Sequence, residues 1–479
     1  MLRILSMLGS AFIIVAFISP VRATDDCNPG ARCFPSSGTG APARFVAQCS
    51  GRFPDFVSPV KMITGPGPWF KLSQAYPSSA PSDDYPWLQV DFANGVRGAN
   101  AYLYALRDYA FEGMLDVDFR PELTELRAWF HMPMMNFGPY AREPLRGLTT
   151  ERTVVGPELG IKPGVEIHNY AIGFYNAVGG VTIGKVWKTN LPDVSTVKFQ
   201  QGTMTFKLLF TDAEESDFQA RPYILAGAPQ WKIATGEGLK TVTLMQMDVA
   251  AVDARSPTGW VFGTFAYDAK APDLSPWRKL RPVGLSWGND YGFTPADQEA
   301  GKHLKETIIS DEIPAYAGAH LGWAGRTNGP VDNPISGCLS CHSTAQDPSA
   351  SIFFGNACVS DKQKMFWFRD FSAGEAFGAV DFTCKPVNPT PIPNGLDFSL
   401  QLAASVQNVH QYRDVNPCSE FVPRPNADLV RQSLPGSIAK GFGNALGQVG
   451  AYEYIYNEDR NTETDSEIRG YSEHPRIGR

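Results

Sequence analysis

Five consecutive residues suggest the chemistry of this chain: Cys338, Leu339, Ser340, Cys341 and His342. Two thiols separated by two residues lie one helical turn apart, so each can add to a vinyl group on the same edge of a porphyrin. The histidine that follows can then give a ring nitrogen to the iron. This spacing is that of the c-type haem attachment motif, and it predicts one covalently bound haem c with His342 as the proximal iron ligand.

Three other uses of these residues stay open. A zinc site needs a second pair of Cys or His ligands at suitable spacing, and the other cysteines form none. A thioredoxin-like motif needs a compact βαβ setting, which the surrounding sequence does not indicate. A disulfide between Cys338 and Cys341 would leave His342 without a role.

Residues 1–23 have the pattern of a secretory signal peptide. Arg3 precedes an apolar run at residues 7–18, and residues 21–23 offer a cleavage site after Ala23. The run is shorter than the ~20 residues that cross a bilayer, which argues against an uncleaved anchor. We therefore expect a bacterial protein exported to the periplasm or beyond, and not an integral membrane protein after cleavage. Thioether attachment of haem is completed in that compartment.

The composition is that of a globular protein with a large core. Hydrophobic residues make up 43% of the 479 residues and charged residues only 19%, which excludes a disordered chain. The net charge of −7 argues against nucleic acid as a partner. Six cysteines remain outside the motif, and an even number in an exported chain favours disulfides of undetermined pairing: Cys27, Cys33, Cys49, Cys358, Cys384 and Cys418.

The elements around the motif predict an α+β fold. Runs of β-branched and aromatic residues predict strands at 170–175, 180–187, 203–210, 241–252 and 259–267. No βαβ alternation is visible, so the sheet should be mainly antiparallel. Apolar spacing predicts helices at 99–111, 123–130, 397–410 and 426–434.

Four regions follow from these patterns. They are the signal peptide at 1–23, a loop-rich and helical region at 24–153, an antiparallel β haem domain at 154–350, and a helical and loop region with a mobile charged tail at 351–479.

Two strand segments resemble a known family. The segment from Phe199 to Lys207, FQQGTMTFK, is similar to the F-x-x-G-T-x-x-x-K strand of the green-haem hydroxylamine-oxidising cytochromes, whose fold the β-sheet class of cytochrome c-prime shares. Residues 247–253 and 258–265, the latter TGWVFGTF, resemble the family's next two landmarks, and the haem motif follows as it does there. The resemblance covers roughly residues 170–345.

The resemblance implies an antiparallel sheet packed on the haem, with a distal side often left open to small molecules. It also implies that the iron has no sixth protein ligand. Lys207 holds the position of the lysine that is cross-linked to the porphyrin in the hydroxylamine-oxidising members. However, Leu208 stands where the family has an acidic residue, which favours an outward-facing strand lysine instead. A long stretch at 269–337 also separates the last strand landmark from the motif.

Other residues have chemistry that suits a haem. Arg326 could pair with a haem propionate, because guanidinium binds carboxylates bidentately, or could be a surface arginine. Met365, His320 and His410 are alternative sixth ligands of the iron, although a lone histidine is more often structural. The cluster HMPMM at residues 131–135 could bind copper or cap a haem iron, although core filling is the more frequent use of methionine.

These observations leave two main functional classes. The first is a mono-haem electron carrier that exchanges electrons with periplasmic redox proteins. The second is a haem enzyme or small-ligand binder acting on hydroxylamine, nitric oxide or peroxide at an open distal site. A sensor of gas or redox state is a third and weaker hypothesis.

Overall fold

A computed structural model describes residues 70–415, except for 136–141, 189–191, 220–222, 236–237, 351–357, 359, 381–383 and 390–391. For residues 411–415 it gives the backbone only. The predicted signal peptide, the predicted helix at 426–434 and four of the cysteines lie outside the described residues. Those cysteines are Cys27, Cys33, Cys49 and Cys418.

The main sheet has nine strands, and every pairing in it is antiparallel. Its central order is β1-β5-β6-β8-β9-β10-β11, with β2 paired to β5 and β7 paired to β8. The strands are β1 (Trp129–Phe130), β2 (Thr149–Thr150), β5 (Asn169–Asn176), β6 (Met204–Thr211), β7 (Gln230–Thr235), β8 (Gly238–Val252), β9 (Trp260–Tyr267), β10 (Leu280–Ser286) and β11 (Thr307–Ile309).

Three two-stranded ribbons, seven α-helices and several short 3-10 helices complete the described part of the fold. The ribbons pair β3 (Val154–Val155) with β4 (Glu166–Ile167), β12 (Gln346–Asp347) with β15 (Asn394–Gly395), and β13 (Ala379–Val380) with β14 (Pro386–Val387). The helices are α1 (Gly95–Phe111), α2 (Ala177–Val186), α3 (Pro295–Glu299), α4 (Ala315–Gly318), α5 (Cys338–His342), α6 (Asp361–Lys364) and α7 (Leu400–Val415). The predicted α+β class and antiparallel sheet are confirmed at this level.

Both faces of the sheet are covered, which is why β9 is buried along its whole length. Alternate residues of a strand point to opposite faces, and on β9 Phe265 belongs to one core while Phe262 belongs to a second. Helix α1 covers the first face: a Cβ on Gly263 would lie 2.2 Å from the Leu103 side chain, so the glycine permits this close approach. Helices α5 and α7 lie with the second core.

The predicted strand at 180–187 is wrong, because these residues form most of α2. Their β-branched residues and glycines favour a strand by propensity, but Asn176 caps the helix by accepting a hydrogen bond from the Gly179 amide at 3.1 Å. Gly180 and Gly184 lie one turn apart on one face, where a Cβ would come within 2.8 Å of Phe130 and 2.7 Å of Tyr76. Tertiary packing therefore overrides local propensity here.

The predicted helix at 123–130 is also wrong. One 3-10 turn at Pro121–Leu123 is followed by a bend at residues 125–126, and β1 then pairs with β5. The apolar spacing misled because Leu123 and Leu126 are more than half exposed. Strands β1 and β2 thus join the main sheet, although they precede residue 154, where the sequence suggests a boundary.

Within the part of the chain that the structure describes, no helix has the length and apolar character needed to cross a bilayer. The same part contains one disulfide, between Cys358 and Cys384, which settles the pairing of two of the six remaining cysteines.

Replacing both Cys358 and Cys384 by serine should lower the free energy of unfolding by roughly 3 kcal/mol. The bond closes a segment with a sequence separation of 26, and a loop of that size restricts the unfolded chain by about that amount. Denaturant unfolding of the two proteins without reductant measures the difference. Equal midpoints and slopes would contradict this account.

Candidate haem-attachment site

The two motif cysteines lie on the single turn of α5, which tertiary contacts hold in place. The Ser340 hydroxyl accepts a hydrogen bond from the Gly337 amide and donates one to the Gly337 carbonyl, both at 2.9 Å. The Cys338 amide donates to the Thr327 carbonyl at 3.1 Å. These bonds fix the start of a helix that is too short to be stable alone.

Cys338 and Cys341 are both free thiols and are not joined to each other. Burial raises the pKa of each, for Cys341 to about 12, so both are protonated at neutral pH. No group of three His, Cys, Asp or Glu side chains in the described ranges is placed to hold a metal ion. The disulfide and zinc interpretations of the motif therefore gain no support, whereas free thiols are what thioether formation requires.

His342 has one ring nitrogen fixed and the other left as a lone pair. Its Nδ1 lies 2.8 Å from the Phe398 carbonyl oxygen, so Nδ1 carries the proton and donates it there. Burial lowers the pKa of His342 to about 4, which keeps the imidazole neutral. The ring packs against Phe262 at 4.5 Å between centroids. Metal-ligating histidines have this arrangement, in which a carbonyl holds one nitrogen and the other binds the metal.

Cys338, Cys341 and His342 line one cavity on the second face of the sheet. Its other walls come from β5, β6, β8 and β9, from the loop before α5 and from the first residues of α7. On the sheet side, part of the cavity wall is formed by residues with small side chains or none, among them Ala171, Gly173 and Ala250.

The dimensions of this cavity limit how a haem could occupy it. A Cβ on Gly173 would lie 2.4 Å from the Gln401 amide, so the glycine permits the Gln401 side chain to pack directly on the sheet. The volume of the cavity is about 150 Å³, below the roughly 300–1,000 Å³ of ligand pockets. A porphyrin therefore requires that lining side chains move apart or that one edge of the ring remain outside. The donor set of two thiols and one imidazole fits a haem, and the Gln401 side chain over Gly173 is one of the groups that would have to move.

A cluster of charges occupies the same cavity. The Lys207 ammonium lies 3.4 Å from Asp248 Oδ2 and 3.9 Å from Glu151 Oε2. Burial raises the pKa of Glu151 to about 7 and that of Asp248 to about 6, although Lys207 opposes both changes. Burial lowers the pKa of Lys207, but the carboxylates, including Asp332, outweigh it and the net pKa is raised. The lysine stays protonated, while Glu151 and Asp248 titrate closer to neutrality than ordinary carboxyl groups.

Lys207 therefore lines the cavity with the motif instead of facing outward. Strand register explains its partners, since Lys207 pairs with Gly173 on β5 and with Asp248 on β8. The acidic neighbours of this lysine come from adjacent strands and not from the next residue in the sequence.

Arg326 is deeply buried and has structural partners. Its guanidinium donates to the carbonyl oxygens of Asn289, Trp323, Asp290 and Phe293 at 2.8–3.0 Å. It does not line the cavity. The bonds to Asn289, Asp290 and Phe293 hold the loop before the motif to the segment after β10, and the bond to Trp323 closes the loop on itself.

The three other residues considered as sixth ligands also lie apart from the cavity lining. The Met365 sulfur accepts a hydrogen bond from the Gly292 amide at 3.0 Å. His320 Nε2 accepts one from the Leu159 amide at 2.8 Å, and burial lowers its pKa. His410 Nε2 lies 3.3 Å from Asp347 Oδ1.

Sequence reasoning missed the carboxylates of the cavity. Glu151 follows β2, Asp248 lies on β8 and Asp332 lies in the loop before α5, so only the folded sheet brings them together. Met135 also lines the cavity, and it belongs to the HMPMM cluster that the sequence singled out. His131 of that cluster is buried elsewhere and accepts a hydrogen bond from the Ser73 amide at 2.9 Å.

A larger cavity of about 760 Å³ lies at another end of the sheet and contains none of the motif residues. Trp260 and Asp397 contribute to its wall. The Asp397 carboxylate accepts hydrogen bonds from the Phe199 amide at 2.6 Å and from Trp260 Nε1 at 3.1 Å. Chemistry, and not size, therefore selects the smaller cavity as the candidate site.

Comparison of the chain with family models, with curated proteins and with solved structures found no match.

The charge cluster predicts a pH dependence of stability. The pKa of Glu151 is raised in the folded protein to about 7, against an ordinary value near ~4.3. The folded state therefore binds the Glu151 proton more tightly than the unfolded state does. The stabilisation that this gives is complete below about pH 4 and is lost as the pH rises through about 7. In Glu151→Gln, the decrease in the free energy of unfolding between pH 4 and pH 7 should be smaller than in wild type by up to roughly 3 kcal/mol. Denaturant unfolding at pH 4, 5.5 and 7 measures this difference.

The exposed Glu125 provides the matched control for that experiment. Glu125→Gln should leave the wild-type profile unchanged. An identical pH profile in wild type and Glu151→Gln would contradict the raised pKa.

Arg326→Ala should destabilise the protein by about 3 kcal/mol or more, because a buried guanidinium and its four charge-assisted bonds to backbone carbonyls are lost. Arg278→Ala, at a half-exposed arginine paired with Asp108, should cost under about 0.5 kcal/mol. Denaturant unfolding measures both. If Arg326→Ala instead kept its stability and lost bound haem, the propionate-binding interpretation of Arg326 would be favoured over the structural one.

Proposed function

We propose that this chain is an exported mono-haem c-type cytochrome that transfers electrons. The carrying observation is the arrangement of Cys338, Cys341 and His342, which place two unbonded thiols and one neutral imidazole with a free Nε2 on the same cavity. Each of the three has the state that covalent haem attachment and iron ligation require.

Each residue would have a defined part in holding the group. Cys338 and Cys341 would form the two thioethers, and His342 would ligate the iron through Nε2. The bound haem would supply a one-electron couple between ferric and ferrous iron. The chain itself keeps the imidazole oriented through Phe398 and keeps Lys207 protonated beside two carboxyl groups.

A line of aromatic contacts supports electron transfer. The His342 ring contacts Phe262 at 4.5 Å, and Phe262 stacks on Trp260 at 5.8 Å between centroids. Trp260 in turn lines the larger cavity. A periplasmic redox partner that docks near this cavity would be connected to the iron ligand through consecutive ring contacts.

A haem enzyme or small-ligand binder is the second candidate, and the charge cluster favours it. Glu151 and Asp248, whose pKa values are raised to about 7 and about 6, can exchange protons with a molecule in the cavity near neutral pH. The resemblance to the green-haem cytochromes points to hydroxylamine, nitric oxide or peroxide as the molecule. A vacant iron coordination site next to this cluster is what the second function requires.

Export is part of the same proposal. The signal-peptide pattern at residues 1–23 supports it, and the Cys358–Cys384 disulfide is typical of an oxidising compartment.

Covalent haem is the direct test. The full chain, produced by a host that matures c-type cytochromes, should retain haem on a denaturing gel and show the spectrum of a bis-thioether haem in alkaline pyridine. The double variant Cys338→Ala with Cys341→Ala should lose the covalent haem, because no thiol remains to form a thioether.

The matched control for that test is the double variant Cys358→Ser with Cys384→Ser, which removes two cysteines outside the motif and should keep its haem. A colourless wild-type protein, or one that carries zinc in place of haem, would refute the proposed function.

A further inference from the structure

The larger cavity, beside Trp260, has the size and the wall of a small-molecule site. Its volume of about 760 Å³ lies within the roughly 300–1,000 Å³ of ligand pockets. Four apolar residues of its lining are buried in the second core, so packing holds this wall in place before any ligand arrives: Val186, Phe199, Val252 and Trp260. An apolar group placed against the wall would leave water at little structural cost.

Two ammonium groups without ion pairs line the same cavity. Lys185 lies in the last turn of α2, Lys198 lies in the chain that leads to β6, and both residues are exposed. Within the described part of the chain, neither ammonium has an ion-pair or hydrogen-bond partner. Lys198 lies close enough to Asp397 to oppose the rise in its pKa that burial causes, but the two side chains form no ion pair. A cation suits the C-terminal end of a helix, which gives Lys185 a structural reason and leaves Lys198 without one.

The protein itself occupies several of the acceptors in the cavity wall. The buried Asp397 carboxylate accepts hydrogen bonds from the Phe199 amide and from Trp260 Nε1. Gln201 Oε1 accepts one from the Ala254 amide at 2.8 Å, which leaves the amide nitrogen of Gln201 as a donor. The groups left for a ligand are therefore mainly hydrogen-bond donors and positive charges.

Asp193 carries the opposing charge at this cavity. Its Oδ1 accepts hydrogen bonds from the Ser195 hydroxyl at 2.6 Å and from the Ser195 amide at 3.1 Å, and these bonds lower the pKa of Asp193. Two exposed ammonium groups against one exposed carboxylate still leave the available charge positive.

We propose that the larger cavity binds a small organic anion, in which a carboxylate or phosphate group is attached to an apolar body. The lysines and the Gln201 amide would bind the anionic group, and the wall that contains Trp260 would receive the body. This inference goes beyond the proposed function and does not depend on bound haem.

Isothermal titration calorimetry of the full chain with matched probes tests the proposal. Phenylacetate and phenyl phosphate carry the two anionic groups on the same body, phenylacetamide is neutral, and inorganic phosphate lacks the body. Wild type should bind at least one of the two organic anions with a Kd of about 1 mM or tighter, and the tighter one identifies the anionic group. Phenylacetamide and inorganic phosphate should bind about tenfold more weakly or worse, because each lacks one of the two kinds of contact.

Substitutions at the lining separate the contributions of charge and space. The double variant Lys185→Gln with Lys198→Gln should weaken binding of the organic anion about tenfold or more, because charge-assisted hydrogen bonds are lost. Asp193→Asn should strengthen binding, because it removes the opposing charge. Ala373→Phe should abolish binding by filling the cavity, and Ala373 is an exposed lining residue, so the larger side chain leaves the core intact.

The double variant Lys232→Gln with Lys270→Gln is the matched control, because it removes the same charge at exposed lysines outside the lining. It should bind the anion as wild type does. The inference would be overturned if wild type bound neither organic anion, if phenylacetamide bound equally well, if both double variants lost the same affinity, or if Ala373→Phe still bound. The wild-type titrations decide the matter even if a variant folds poorly. Covalent haem on the gel is scored separately, so the proposed function can fail while this result stands.

Discussion

The hydrogen bond from His342 Nδ1 to the Phe398 carbonyl is the contact on which the candidate site depends. It decides which imidazole nitrogen is free and fixes the plane of the ring. It also joins the five-residue helix α5 to the segment that begins α7. The neighbouring Asp397 binds Phe199 ahead of β6 and Trp260 on β9, so the orientation of one imidazole is tied to the main sheet. A local motif of five residues therefore works only inside a fold that spans more than 200.

Local pattern was enough for much of the fold. Four elements lie close to their expected bounds: the strands at 203–210, 241–252 and 259–267 and the helix at 99–111. In each of them the period of the apolar residues matches the face that the element buries. The segment at 180–187 failed because its helix depends on a cap at Asn176 and on glycines that face Phe130 and Tyr76. Neither effect can be read from the segment itself.

Some residues of the candidate site can likewise be identified from sequence, and others only from the fold. Cys338, Cys341 and His342 are adjacent in sequence, so their spacing alone identifies them. Glu151 and Asp248 meet Lys207 only through strand register, and a single sequence does not give the register. Arg326 has the right charge for a propionate, but its donors are taken by four carbonyls of the surrounding loops. The residue type of Arg326 suggested a propionate ligand, whereas its contacts show that it holds the surrounding loops together.

The charge cluster beside the motif is costly to the fold. Three carboxyl groups share one ammonium, and burial raises the pKa values of Glu151 and Asp248 instead of stabilising their charged forms. Apolar residues of similar volume would be as stable or more stable at such a position. The strained backbone of Met134 lies in the loop that leads to the same cavity.

Costly features of this kind concentrate at functional sites, where stability is lost to hold reactive groups in place. In the haem protein proposed above, negative charge on the cluster would favour the ferric state of the iron by Coulomb attraction. The protonation of Glu151 and Asp248 would therefore help to set the reduction potential at which such a centre exchanges electrons.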